Sequence, residues 1–240
     1  MGALVLLTLV AAASATLSAI AGIGGGTILI AAMYTVGLSP LVALALHAAV
    51  QMVSNGSRAL AYREHIDWRH GLLCAGVALP IPFLVAHWLV RMDAELLRVL
   101  LGVFVLVNLL PTPARVEAIS LRTRMIVAGL LKGMIGPVVG ASGLILAPFF
   151  FSKHWSKEQT VATLALVQTI GHLVKIAAYG SAGVALGPQG WWFFPLAAGV
   201  MLGTALGKHW MGRLSQQTFE RIFRWVMGLL GLRLLLSVWI

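Results

Sequence analysis

The chain is short of acid. Asp and Glu number seven in 240 residues, against 17 Lys and Arg. All seven (Glu64, Asp67, Asp93, Glu95, Glu117, Glu158, Glu220) fall in or beside predicted loops, so no spanning segment carries a buried carboxylate. Cation carriers and many proton-coupled carriers hold their ion on Asp or Glu within the membrane, which argues against a cation substrate and against a carboxylate proton relay. Cysteine is nearly absent as well. Cys74 alone, inside an apolar stretch, allows neither a disulfide framework nor a cysteine metal site, and no cofactor or metal is expected. Charged residues make up only 10% of the chain while 60% is hydrophobic, too little charge to cover a soluble domain of this length.

What the chain has instead is long apolar runs, at 3–22, 26–37, 40–61, 70–90, 95–110, 124–139, 143–152, 157–179, 190–207 and 218–240. Most reach the length of about 18 residues or more that crosses a bilayer about 30 Å thick. The reading is an all-α polytopic membrane protein whose partner is the lipid bilayer. Residues 1–22 resemble a signal peptide but lack a positive n-region and run into another apolar segment, so they are expected to be a membrane helix. The net charge of +10 does not point to nucleic acid, because Lys and Arg cluster in short loops as the positive-inside rule requires. A homodimer is left open.

Two apolar runs, 26–37 and 143–152, are too short to span, and each follows a glycine break: "GIGGGTILIA" at 22–31 and "GASGLILAP" at 140–148. The halves also match. Moving the sequence by 117 positions, which takes Gly26 to Gly143, also takes Ile28 to Ile145, Leu29 to Leu146, Ser39 to Ser156, Gln51 to Gln168, Arg58 to Lys175 and Tyr62 to Tyr179. A slightly larger shift sets His87-Trp88 on His209-Trp210. The chain therefore divides into a first repeat (1–112), a connection (113–123) and a second repeat (124–240). Loops 62–70, 111–124, 152–158 and 208–224 are basic, whereas 37–40 and 180–190 carry no charge. One topology puts every basic loop in the cytoplasm. It makes each repeat a Gly-broken helical hairpin followed by three transmembrane helices, with the two repeats inverted; the alternative is eight plain helices in two parallel repeats.

A helix broken at bilayer depth leaves backbone N–H and C=O groups that protein, water or a solute must satisfy. Helix N-termini following such a break aim N–H groups and a partial positive charge at it, which suits an anion. The candidate site accordingly takes Gly24, Gly25, Gly26, Gly140, Ser142 and Gly143 from the breaks. The next helix of each repeat adds a polar stripe on one face: Gln51, Asn55 and Arg58, then Gln168, His172 and Lys175. Arg58 and Lys175 lie near helix ends, so they either reach the solute or snorkel to an interface. Lys132 lies within the second hairpin, serving either an anion path or the cytoplasmic interface.

"AGIGGGTIL" and "KGMIGPVVGASGLILAP" resemble the sulfite exporter TauE/SafE family over nearly the whole chain, including the duplication. The motif falls on Gly24, Gly25 and Gly26, and again on Gly140, Gly143 and Pro148. It departs at Ala31, where the pattern usually has proline, and at Ala141 and Ser142, which interrupt the second glycine run. The resemblance implies a multi-pass inner-membrane permease, not an enzyme, moving sulfite or a small organosulfonate. A rival comes from "GASG" at 140–143, which matches the G-x-S-G of rhomboid intramembrane proteases, with Ser142 as nucleophile and His172 as base. Against it, Ser142 matches Gly25 and His172 matches Asn55, so the motif reads as one copy of a repeated element.

Overall fold

The computed structural model describes residues 1–21, 24–107, 116, 119–152 and 155–210, with isolated positions beyond. The expected last segment, 218–240, apart from isolated positions, residues 113–115, 117 and 118 of the connection, and Lys153 with the basic residues of 211–224 lie outside the described residues. Within them the protein is helical, with no strand. The first half contains α1 (Gly2–Ala21), α2 (Gly25–Thr35), α3 (Pro40–Ala61), α4 (Trp68–Ala78), α5 (Ile81–Leu89) and α6 (Ala94–Val107). The second contains α7 (Leu121–Val139), α8 (Gly143–Phe150), α9 (Lys157–Ser181) and α10 (Phe193–Trp210).

Among the described residues, four stretches are long and apolar enough to cross a membrane: Gly2–Ala19, Trp68–Leu89, Glu158–Ser181 and Gly187–His209. The second comprises α4 and α5. Pro80 and Pro82 remove N–H donors where they meet, so the expected single run at 70–90 is broken there. α3 has 22 residues, about 33 Å at 1.5 Å per residue, yet falls outside the four because its inner face is polar. α2, with 11 residues, reaches only about 16 Å. It is buried from Thr27 to Tyr34 apart from its ends, which is how a helix too short to span is tolerated at membrane depth.

α3 and α9 form the centre and run antiparallel. The His47 and His172 rings face each other, Gly56 lies against Thr169, and the Asp67 amide beyond α3 donates to Thr163 Oγ1 at 3.0 Å. Rising numbers on one chain segment thus meet falling numbers on the other. Around this pair the packing of the two halves corresponds. α1 packs on α10, and α7 packs on α4 and α5. Both contacts are made by small residues. Gly199, Gly203 and Gly207 of α10 meet the backbone of α1 at Thr8, Ala12 and Thr16, while Gly129 and Gly133 of α7 meet Cys74, Val77, Ala78 and Ile81. In a bilayer, where apolar side chains gain nothing by leaving lipid, such close backbone approach supplies the association.

Candidate functional site

Both breaks turn on a glycine with left-handed backbone: Gly24 at φ 96°, before α2, and Gly140 at φ 76°, after α7. Residues with a Cβ rarely adopt this conformation. The short helices that follow begin with no side-chain cap, so their first N–H groups stay directed at the break. The polar stripes of α3 and α9 close over these two ends.

Gln51 lies against Gly26, where an added Cβ would stand 3.3 Å from the Gln51 Cδ, and Gln168 lies against Gly143, where it would stand 3.0 Å from Nε2. The two contacts are equivalent under the repeat. Each glutamine has its oxygen already engaged. Asn55 Nδ2 donates to the Gln51 carbonyl oxygen at 2.9 Å and to Gln51 Oε1 at 3.2 Å. Lys132 Nζ and, at 3.5 Å, Ser142 Oγ donate to Gln168 Oε1. These bonds assign the amide orientation and leave the Nε2–H₂ end of each glutamine for another acceptor.

A cavity of about 30 Å³ lies here. Of the residues singled out from the sequence, Gly24, Gly26, Gln51, Asn55, Arg58, Gly143, Gln168 and His172 line it. Gly25, Gly140, Ser142 and Lys175 do not. Gly25 is turned to α1, where a Cβ would meet the Ser14 carbonyl oxygen and Ser18 Cβ, so it is a packing residue. Lys175 reaches back to donate to the Gly140 carbonyl oxygen at 2.5 Å, and with Lys132 it borders a second, smaller and mostly apolar cavity against α4 and α5. Tyr179 closes the stripe by donating to the Pro137 carbonyl oxygen at 2.7 Å.

Neither stripe cation snorkels: Arg58 is 5% exposed, with Nη2 donating to Ser18 Oγ at 3.0 Å, and Lys175 is 3% exposed. Lys132 is likewise buried, and points to Gln168 rather than to an interface. Arg124 makes a fourth buried cation, donating to the Phe151 carbonyl oxygen. Among the described residues no Asp or Glu is buried. The sequence reading missed Ser18, Thr27 and His47, which also line the cavity. His47 had a signal, since it stands one turn before Gln51 on the same α3 face.

The Sulfite exporter TauE/SafE family model matches residues 6–234. The chain belongs to that family. No curated protein and no solved structure matches it. As a TauE/SafE protein it is a multi-pass membrane transporter for sulfur-related anions, and the family is not an enzyme family. The protease reading of "GASG" is thereby set aside, and the local bonding agrees: Ser142 Oγ turns to Gln168 and His172 offers it no hydrogen bond. Among the described residues of this TauE/SafE chain the buried charge is therefore all of one sign, and apart from Arg124 it stands around the two breaks or beside them.

Proposed function

We propose that the cavity between the two glycine breaks binds a compact sulfur oxyanion, sulfite first and a small organosulfonate second, and that the protein moves it across the inner membrane by alternating access. The observation that carries this reading is the sign of the charge at the cavity. Toward a solute it offers two glutamine amides with their oxygens occupied, Arg58 and the uncapped starts of α2 and α8, and among the described residues no carboxylate lines it. Taking a cation out of water is costly, and an arriving oxyanion offsets that cost. Size favours the compact solute, since about 30 Å³ is two to three times the ~10–15 Å³ that one water needs.

We read the two halves as inverted repeats. The antiparallel crossing of α3 and α9, equivalent helices under the repeat, supports this, because parallel repeats related by an axis along the membrane normal would set them parallel. Rocking one half against the other then exposes the same site to each side in turn. The test is a binding screen of purified protein against sulfite, thiosulfate, sulfate and methanesulfonate. Gln51→Leu and Gln168→Leu are each expected to weaken the preferred anion by about 1–3 kcal/mol, the cost of a lost hydrogen bond to a charged partner. Affinity unchanged in both variants would place the site elsewhere.

A further inference from the structure

The cavity holds one feature that anion binding alone does not use. The rings of His47 and His172 stand edge to face with centroids 5.7 Å apart, both buried, one from each central helix. His47 Nε2 lies 2.8 Å from the Gly26 carbonyl oxygen. A carbonyl only accepts, so Nε2 carries the hydrogen and Nδ1 of the neutral ring carries the lone pair. That Nδ1 is buried with no hydrogen-bond partner, and so is Nδ1 of His172. Protonating His47 at Nδ1 would create a new N–H for which the protein supplies no acceptor.

We infer that His47 and His172 form a proton-carrying pair that couples the sulfur oxyanion to a proton, the anion supplying the acceptor that the protonated ring lacks. This rests on the cavity being the anion site. The surrounding charge sets the linkage. His47 and His172 face each other, Lys175 of α9 acts on both rings, and Lys132 of α7 acts on His172; Arg58 of α3 lines the same cavity. α2 brings only the Gly26 carbonyl, its Tyr34 standing toward Arg98 of α6. Lys208 and His209 of α10 and Glu95 of α6 are exposed, Cys74 of α4 stands by Lys132, and α1 and α8 have no titratable side chain. Cations stand near both rings and, among the described residues, no buried carboxylate does, so in an empty cavity a proton on either ring has no counter-charge. A bound oxyanion reverses that balance. A proton from the aqueous side then joins a lone pair as the anion arrives, and both leave together on the other side, so no other reactant is needed.

The full-length protein is titrated by calorimetry with sulfite, and with thiosulfate and methanesulfonate, neither of which titrates near neutral pH. Each titration is repeated in two buffers of different ionisation heat, so that protons taken up per anion bound are counted. The expected result for the two non-titrating probes is an uptake approaching one proton, with affinity strengthening up to about tenfold per pH unit lowered. His47→Gln and His172→Gln should each reduce the count, and the double variant should bring it to zero and flatten the pH profile. Binding by the unaltered protein without proton uptake overturns the coupling and leaves the anion site standing. So does an undiminished count in the double variant. Binding of none of the three anions overturns the site and the coupling together.

Discussion

At the scale of single residues, the glycines of the breaks separate into two kinds that their sequence does not distinguish. Gly25 faces the α1 backbone, so Gly25→Ala is expected to destabilise the protein by about 1–3 kcal/mol through overpacking. Gly26 and Gly143 face the glutamine amides. Alanine there crowds the amide but gains helix propensity of about 0.5–1 kcal/mol, so folding stability should stay near that of the parent while anion uptake falls. Thermal unfolding and uptake measured on the same preparations separate the two kinds; equal stability losses at Gly25 and Gly26 would refute the distinction. Lys132 is a further case. It fixes Gln168 by its oxygen, and Lys132→Met frees that amide to turn its oxygen toward the cavity. Weaker anion binding is expected, with a partial return in Lys132→Arg, which keeps a donor and a charge.

At the scale of elements, the fold depends on two seams of small residues rather than on large apolar contacts. Gly203 allows α10 to lie directly on the α1 backbone at Ala12. Gly203→Leu is expected to force the helices apart and to cost toward the upper end of about 1–3 kcal/mol. Gly133→Leu should do the same at the seam between α7 and α5, since an added Cβ there would stand 2.7 Å from Ile81 Cβ. Leu202, on the same helix as Gly203 and 65% exposed, is the control. Leu202→Ala is expected to change the denaturation midpoint little, because a surface substitution away from packing usually stays within about 0.5 kcal/mol. Comparable losses at 202 and 203 would show that lipid contact, not the seam, governs the pairing.

At the scale of the whole molecule, the single cysteine makes orientation directly measurable. Cys74 is buried and gives no background with an impermeant thiol reagent. Ala185 lies in an uncharged connection and Ile119 beside a basic one, both exposed. Gly183 is a poorer position because its backbone is left-handed at φ 83° and a side chain there is strained. In the proposed topology Ala185→Cys labels from outside the cell and Ile119→Cys only after the membrane is opened. Labelling of position 119 from outside would reject the inverted arrangement.

How far the sequence reached depends on whether a property is local. Helix positions followed from the apolar runs, because in lipid every backbone group must be satisfied within its own segment and the helix is the solution. The seven acids and the matched Gln, basic and Tyr positions, all readable along the chain, were enough to point to an anion and to a duplicated unit. Which glycine faces a cavity and which faces a backbone was not readable, since both have the same neighbours in sequence and differ only in what α1 and α3 bring against them. The same holds for Arg58 and Lys175, whose distance from the helix ends allowed snorkelling until Ser18 and the Gly140 carbonyl were seen to hold them inside. It holds above all for His47 and His172, 125 positions apart (172 − 47) and unrelated by the repeat. Only the antiparallel crossing of α3 and α9 brings their rings together, because contact between two helices is fixed by how they pack and not by either helix alone.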